Sequence, residues 1–311
     1  MYVRSALGVG LAVVMVVSAP AAAYAVGSSH ELTGISSSTR ADAMAAMHGE
    51  AYAHLRYNAD AAEAINDGRA MVAKIFRETA QTERYDHFAG LAKLTGLVST
   101  DAENLTEAIA GERYEATVMY PGFARQAQLD GCSAAAELFT EISGDEALHA
   151  NRFAAARDAL LSPGADQQVP VGDWVPPGRI PAGPPRCTGQ TLANLADAMH
   201  GEAFASLKYA LYAGHARSAG QPRVAQLFTA AASQERNDHF ASEAALAGLV
   251  RSTEANLRTA VEGELDEATA TYPAYRDRAA KHGDASAAGL FNELARDEAT
   301  HAGRFDSLCR D

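Results

Sequence analysis

From residue 41 onward, apolar residues recur at three- and four-residue steps through long alanine-rich runs, and no segment sustains a period of two. That periodicity belongs to amphipathic helices and argues against strands. Breaks at Asn66-Asp67-Gly68, Gly96 to Thr100 and Asp130-Gly131 divide residues 41–160 into four predicted helices. Each has roughly 25 residues and is about 40 Å long. Ser99 or Thr100 offers an N-cap for the third. Residues 191–311 break in the same register, at Ser218-Ala219-Gly220, Gly248 to Thr253 and His282-Gly283-Asp284. The expected fold is all-α: two four-helix bundles from an internal repeat.

The apolar stripe of each helix is interrupted by acid. In the third helix Leu105 and Ile109 lead to Ala116 and Met119, and the step between lands on Glu112. In the fourth, Phe139, Ile142 and Phe153 leave gaps that Glu146 and His149 fill. Phe76, Thr79, Gly90 and Leu94 frame Glu83, while Met47 and Tyr57 bracket Glu50 and His54. A helical glutamate is ordinarily a solvated surface residue, but these face inward. With Glu115 they form a set, Glu50, Glu83, Glu112, Glu115, Glu146 and His149. It recurs at a constant offset of 152 as Glu202, Glu235, Glu264, Glu267, Glu298 and His301. Buried carboxylates are costly unless protonated, paired or metal-bound, and no matching inward Lys or Arg is apparent. Two dimetal sites account for all twelve residues. Oxygen donors with one imidazole suit iron, two per site, or manganese. Single glutamates on two helices and Glu-x-x-His on others are the ligand scheme of carboxylate-bridged di-iron bundles.

At these positions the chain resembles the rubrerythrin family, specifically its di-iron, ferritin-like domain, over both repeats. The matching strings are Gly49-Glu50 with Tyr57, Glu83-Arg84, Gly111-Glu112-x-x-Glu115, Met119-Tyr120-Pro121-x-Phe123-Ala124-Arg125 and Glu146-x-x-His149. The second copy has Gly201-Glu202 with Tyr209, Glu235-Arg236, Gly263-Glu264-x-x-Glu267, Tyr272-Pro273 and Glu298-x-x-His301. The glutamate three residues after Glu112 is what resembles rubrerythrin rather than ferritin. The resemblance implies a second-helix Glu-x-x-His whose histidine exchanges with that extra glutamate as the iron changes redox state. Here the +3 position is Asp86 or Asp238, and His87 or His239 stands at +4; either residue could ligate. Tyr57, Tyr209, Tyr120 and Tyr272 are expected to hydrogen-bond ligand carboxylates. His54 is replaced by Ser206 in the second copy, which argues against a shared ligand role, and His48 and His200 fall on another helix face.

A net charge of −13 over 311 residues argues against nucleic acid as partner. Arg4, the apolar run Ala6 to Val17 and Ala23-Tyr24-Ala25 read as a signal peptide over residues 1–25, so export to the cell envelope or beyond is expected. No later apolar run is long enough to span a bilayer. Residues 26–40 read as a flexible lead-in and the proline-rich stretch 161–190 as an extended linker, with Trp174 docking it.

A ferritin-like bundle with one long crossover runs its second and third helices parallel, and the five residues from Gly96 to Thr100 reach at most about 18 Å. The repeats are therefore expected to exchange helix pairs, making a pseudo-dimer within one chain. Glu50 and Glu83 would join Glu264, Glu267, Glu298 and His301; Glu202 and Glu235 would join Glu112, Glu115, Glu146 and His149. An up-down-up-down bundle closed within each repeat is the alternative. Exchange brings Cys132 and Cys187 to one end of one bundle, so a Cys132–Cys187 disulfide is expected, with Cys309 outside it. None of the three cysteines forms a C-x-x-C, so no rubredoxin-like centre is encoded here. The functional expectation is a peroxidase reducing hydrogen peroxide with electrons from an external donor. The alternative is a ferroxidase that sequesters or oxidises Fe(II) with dioxygen.

Overall fold

The computed structural model describes residues 34–162 and 168–309; the expected signal segment lies outside them. Eight helices follow in order: α1 Ser37–Asn66, α2 70–95, α3 101–129, α4 Ser133–Leu161, α5 Gly189–Ser218, α6 222–247, α7 253–281 and α8 Ala285–Cys309. No strand occurs among the described residues. The boundaries have local causes. Ser36 accepts a hydrogen bond from the Thr39 amide, so α1 starts at Ser37, inside the stretch expected to be lead-in. Thr100 and Glu103 form a reciprocal capping box on α3. Gly96 and Gly248 end α2 and α6 in the left-handed conformation, at φ 65° and 63°. At Gly248 a Cβ would also collide with the backbone of Pro184 and Pro185.

Four helices carry a π turn at mid-length: Glu83–Phe88 in α2, Glu115–Met119 in α3, Glu235–His239 in α6 and Glu267–Thr271 in α7. Each begins on a glutamate of the repeated set. A π turn holds one residue more than an α turn, so the inward stripe moves on by one beyond it. In α2 the buried residues after the turn are Leu91 and Thr95 rather than the expected Gly90 and Leu94, and in α3 Tyr120 is buried in place of Met119.

The helix pairs are exchanged. Tyr57, Ala61 and Phe76 of α1 and α2 pack with Leu257, Ala260 and Phe305 of α7 and α8. Leu105, Ile109 and Phe153 of α3 and α4 pack with Tyr209, Tyr212 and Phe228 of α5 and α6. Bundle I is thus α1, α2, α7 and α8, and bundle II is α3, α4, α5 and α6. They meet along α1 and α5, where His48 stacks on Phe204 at 4.2 Å and Tyr52 on His200 at 4.0 Å.

Cys132 and Cys187 form a disulfide with Cα atoms 5.7 Å apart, beside the bundle II core of Tyr120, Phe139 and Leu195; Cys309 is exposed. Residues 168–188 form neither helix nor strand, as the prolines demand. Trp174 does not dock this linker; its ring is 61% exposed. The neighbouring backbone does so instead. The Val175 amide donates to Ser233 Oγ at 3.0 Å and its carbonyl accepts from Asn237 at 2.7 Å. Arg179 pairs with Glu63 of α1 at 2.6 Å.

Because each core draws on both repeats, a single repeat cannot bury its own apolar faces. Residues 34–162 expressed alone should form a homodimer that exchanges helix pairs with itself, or fail to fold. Light scattering coupled to gel filtration reads this directly; a stable, fully helical monomer would contradict the packing.

Candidate metal centres

Each bundle brings four glutamates and two histidines together at mid-height. In bundle I, Nδ1 of His87 lies 2.7 Å from Glu83, 3.1 Å from Glu298 and 3.4 Å from Glu50. Nδ1 of His301 lies 2.8 Å from Glu298, 3.2 Å from Glu83 and 3.4 Å from Glu264. Glu83 and Glu298 therefore touch both imidazoles, while Glu50 and Glu264 each serve one side. Bundle II repeats the pattern. His239 faces Glu235, Glu146 and Glu202 at 2.9, 3.0 and 3.5 Å. His149 faces Glu146, Glu235 and Glu112 at 2.9, 3.2 and 3.4 Å. The ring centroids stand 5.8 Å apart in bundle I and 6.0 Å in bundle II. Two shared carboxylates between two terminal carboxylate–imidazole sets is a dinuclear arrangement.

The π turns explain the histidine spacing. In an α-helix +3 stops short of a full turn and +4 passes it; adding a residue to the turn carries +4 back beside the starting position. Glu83-x-x-x-His87 across a π turn thus sets its nitrogen 2.7 Å from the carboxylate, as Glu146-x-x-His149 does at 2.9 Å in plain α-helix. Asp86 is turned out to solvent. Asp238 instead gathers with Asp145 on the outer side of His239.

Glu115 and Glu267 are not in the four-carboxylate groups. They lie partly buried at the edge, Glu267 Oε1 3.6 Å from where a Cβ on Gly49 would stand and Glu115 Oε1 3.9 Å from the same point on Gly201. A Cβ at either position would make only ordinary van der Waals contact with them. Burial, then Glu50 and Glu298, push Glu267 well above the usual carboxylate range; burial, then Glu112 and Glu202, do so for Glu115.

Outer contacts hold the inner ones. Tyr57 donates to Glu264, Tyr209 to Glu112, Tyr120 to Glu202 and Tyr272 to Glu50, so a phenol steadies each carboxylate that serves one side. Away from the carboxylates, Nε2 of His87 faces Asp297 at 3.5 Å, His239 faces Asp145 at 3.4 Å and His149 faces Gln234 at 3.1 Å. The hydrogen bonds of His239 and His149 fix which imidazole nitrogen points inward, while His87 has only the ion-pair contact to Asp297. The aspartates escaped the sequence reading although Asp145 and Asp297 recur at the same offset, each directly before a cluster glutamate. His54 Nδ1 donates to the Ala80 carbonyl at 2.6 Å, and Ser206 does the same for Ala232 at 3.1 Å, so position 54/206 ties helices together. Contrary to the expectation of no inward cation, Lys208 is buried in bundle II, 3.3 Å from Glu107. Arg56 lies 3.5 Å from the buried Asp60 in bundle I. A long side chain can bury its stem along apolar surface and keep its charge paired, which helical periodicity alone does not reveal.

The donor set fits a pair of hard cations. Both oxygens of Glu83 and of Glu235, and one each of Glu112, Glu146, Glu264 and Glu298, are buried with no well-formed hydrogen bond. Such groups are rare without a partner, and carboxylate oxygens with imidazole nitrogen suit iron or manganese. Fold and site together define a four-helix-bundle carboxylate protein with two dimetal centres.

The chain belongs to the rubrerythrin family, whose model matches residues 85–157 and 193–309. It is 35% identical over 130 residues to rubrerythrin of Nitratidesulfovibrio vulgaris (38% of this chain, 68% of the relative). It is 35% identical over 131 residues to rubrerythrin of Porphyromonas gingivalis (38% and 66%). To nigerythrin of Nitratidesulfovibrio vulgaris it is 33% identical over 144 residues (42% and 71%). The chain thus spans about two thirds of these relatives' length. No solved structure matches it significantly.

The buried acids give the metal-free protein a particular pH response. Burial pushes Glu50 up to about 7, against the pull of His87, and Glu264 up to about 8, against that of His301. Burial, then Glu235, takes Glu202 to about 7. His301 rises to about 12, because hydrogen bonds to Glu264, Glu298 and Glu83 outweigh its burial. Each folded value exceeds its unfolded one, so the stability these groups contribute is lost as pH rises through the folded values. Glu83 is lowered to about 2 by His301 and His87 against its burial, and its contribution is lost only in the acid limb. The melting temperature of metal-free protein should therefore fall from about pH 5 to about pH 8, while that of metal-loaded protein stays nearly level. A metal-free protein that gains stability over this range would contradict the electrostatics.

Proposed function

We propose that the chain is an exported oxidoreductase that reduces hydrogen peroxide to water at two di-iron centres, drawing two electrons per turnover from an external donor. The observation that carries this reading is the pairing of shared and terminal carboxylates around two inward imidazoles, with a further glutamate waiting at the edge of each centre. A bound iron pair would supply the electrons and open coordination positions for peroxide. The protein's share is to hold and tune that pair. Glu83 and Glu298, or Glu146 and Glu235, which contact both imidazoles, would help hold it together with the histidines and the terminal glutamates. The tyrosines restrain the terminal carboxylates, and surrounding apolar side chains such as Phe76 and Phe305 exclude water. Reduction consumes two protons, and Glu267 and Glu115, raised well above the usual range, would hold protons on their carboxyl oxygens beside the centre.

Export is supported by the apolar segment after Arg4 with its Ala-Tyr-Ala end, and by the Cys132–Cys187 disulfide, since such bonds persist in oxidising compartments. A second reading, an iron-sequestering ferroxidase, is favoured by one observation: none of the three cysteines stands in a C-x-x-C that could carry electrons to the centres.

Anaerobic reconstitution with Fe(II) should load about four metal ions per chain, two for each dinuclear site. Glu112→Ala and Glu264→Ala should each lose about one site's worth with the helical circular dichroism retained. Uptake of less than one ion per chain would remove the dimetal reading. In stopped flow, peroxide should oxidise the loaded protein orders of magnitude faster than dioxygen; the reverse order would favour the ferroxidase.

A further inference from the structure

We propose that Glu243 makes the two centres unequal, adding to the centre in bundle II a further buried carboxylate that lets it take divalent cations before the centre in bundle I. The inference rests on the dimetal reading above. Glu243 lies on α6, two helical turns beyond Glu235, and is fully buried. Its Oε1 is 3.1 Å from the Tyr120 hydroxyl, which also bonds Glu202. Its Oε2 has no hydrogen-bond partner. Two carboxylates thus converge on one phenol, which has a single proton to donate. An unpartnered buried carboxylate beside a ligand glutamate is held there at a cost, and a cation arriving next to it relieves that cost.

Bundle I has nothing equivalent. The position matching Glu243 across the repeat is Leu91, packed in the core with Tyr272, and Tyr272 bonds Glu50 alone. Each bundle also holds a cation beside an acid, and Lys208 further faces Glu115 and Glu112. The buried Lys208 of bundle II is paired with Glu107, and Arg56 at the matching position of bundle I is paired with Asp60. Beside the phenol itself, the difference is one carboxylate for one leucine. Burial, then Glu202, hold the Glu243 carboxyl well above the usual range; a divalent cation several ångströms away favours its ionised form, and one unit charge there, even at an effective dielectric constant of about 20, shifts affinity by at least about tenfold.

The test is a Mn(II) titration of the full-length, metal-free protein, following the electron paramagnetic resonance of unbound Mn(II). Two ions should bind at least about tenfold more tightly than two others. Glu243→Gln, which keeps the shape and removes the charge, should abolish the tight class while leaving the melting temperature of metal-free protein unchanged or higher. Glu264→Ala, in bundle I, should retain it. Leu91→Glu should tighten the weaker class. Four equivalent ions in the unmodified protein, or a tight class that survives Glu243→Gln, would overturn the inference and leave the dimetal reading standing. No Mn(II) binding at all would overturn both.

Discussion

Eight glutamates and four histidines at the middle of two apolar bundles set the terms for the rest of the molecule. In each bundle two overlapping groups of three carboxylates, with two members in common, repel, and burial removes the water that would screen them. In the metal-free protein the imidazoles carry the compensating charge: all four present Nδ1 to carboxylates and are raised above their ordinary value despite burial. A metal pair would replace that proton sharing with coordination. The tyrosines and the outward Asp145, Asp297 and Gln234 act on where those carboxylates and rings stand.

The short link between the second and third helices of each repeat governs how the centres are assembled. It cannot carry the chain along the length of a bundle, which with α2 and α3 parallel in each repeat places α3 in the other one. One consequence is that both centres depend on both halves of the chain. Another is that the disulfide and the docked linker, each joining segments far apart in sequence, brace a structure whose halves are already interlocked. The stacks of His48 on Phe204 and Tyr52 on His200 run between the bundles in matched positions, as expected for a repeat that pairs with its own copy.

The π turns show how a ligand set tolerates a change in spacing. In an α turn the histidine of Glu-x-x-x-His stands about 40° past its glutamate, on the opposite side from the histidine of Glu-x-x-His. One extra residue in the turn brings glutamate and histidine together and shifts the stripe beyond it, which is why Leu91 and Tyr120 are buried. The extra turn in α3 and α7 starts at Glu115 and Glu267, so the same device places the edge glutamates.

The helices, their ends, the tandem repeat and the inward glutamates could be read from the chain alone, because each leaves a periodic or recurring mark: a 3.6-residue stripe, a turn cluster, a constant offset. The five-residue link left two topologies open, exchanged helix pairs or an up-down-up-down bundle within each repeat, and the packing of α1 and α2 on α7 and α8 decided for exchange. The choice of His87 over Asp86 was not legible, because it depends on a π turn, and the backbone widens there only to suit contacts made from other helices. Nor was the burial of Lys208 and Glu243, whose partners Glu107 and Tyr120 are set by packing. Trp174 failed as an anchor for a similar reason: the linker binds through Val175 and Arg179, whose partners Ser233, Asn237 and Glu63 are distant in sequence. Periodicity says which way a side chain faces; only the tertiary structure decides what it meets there, because that partner arrives from another part of the chain.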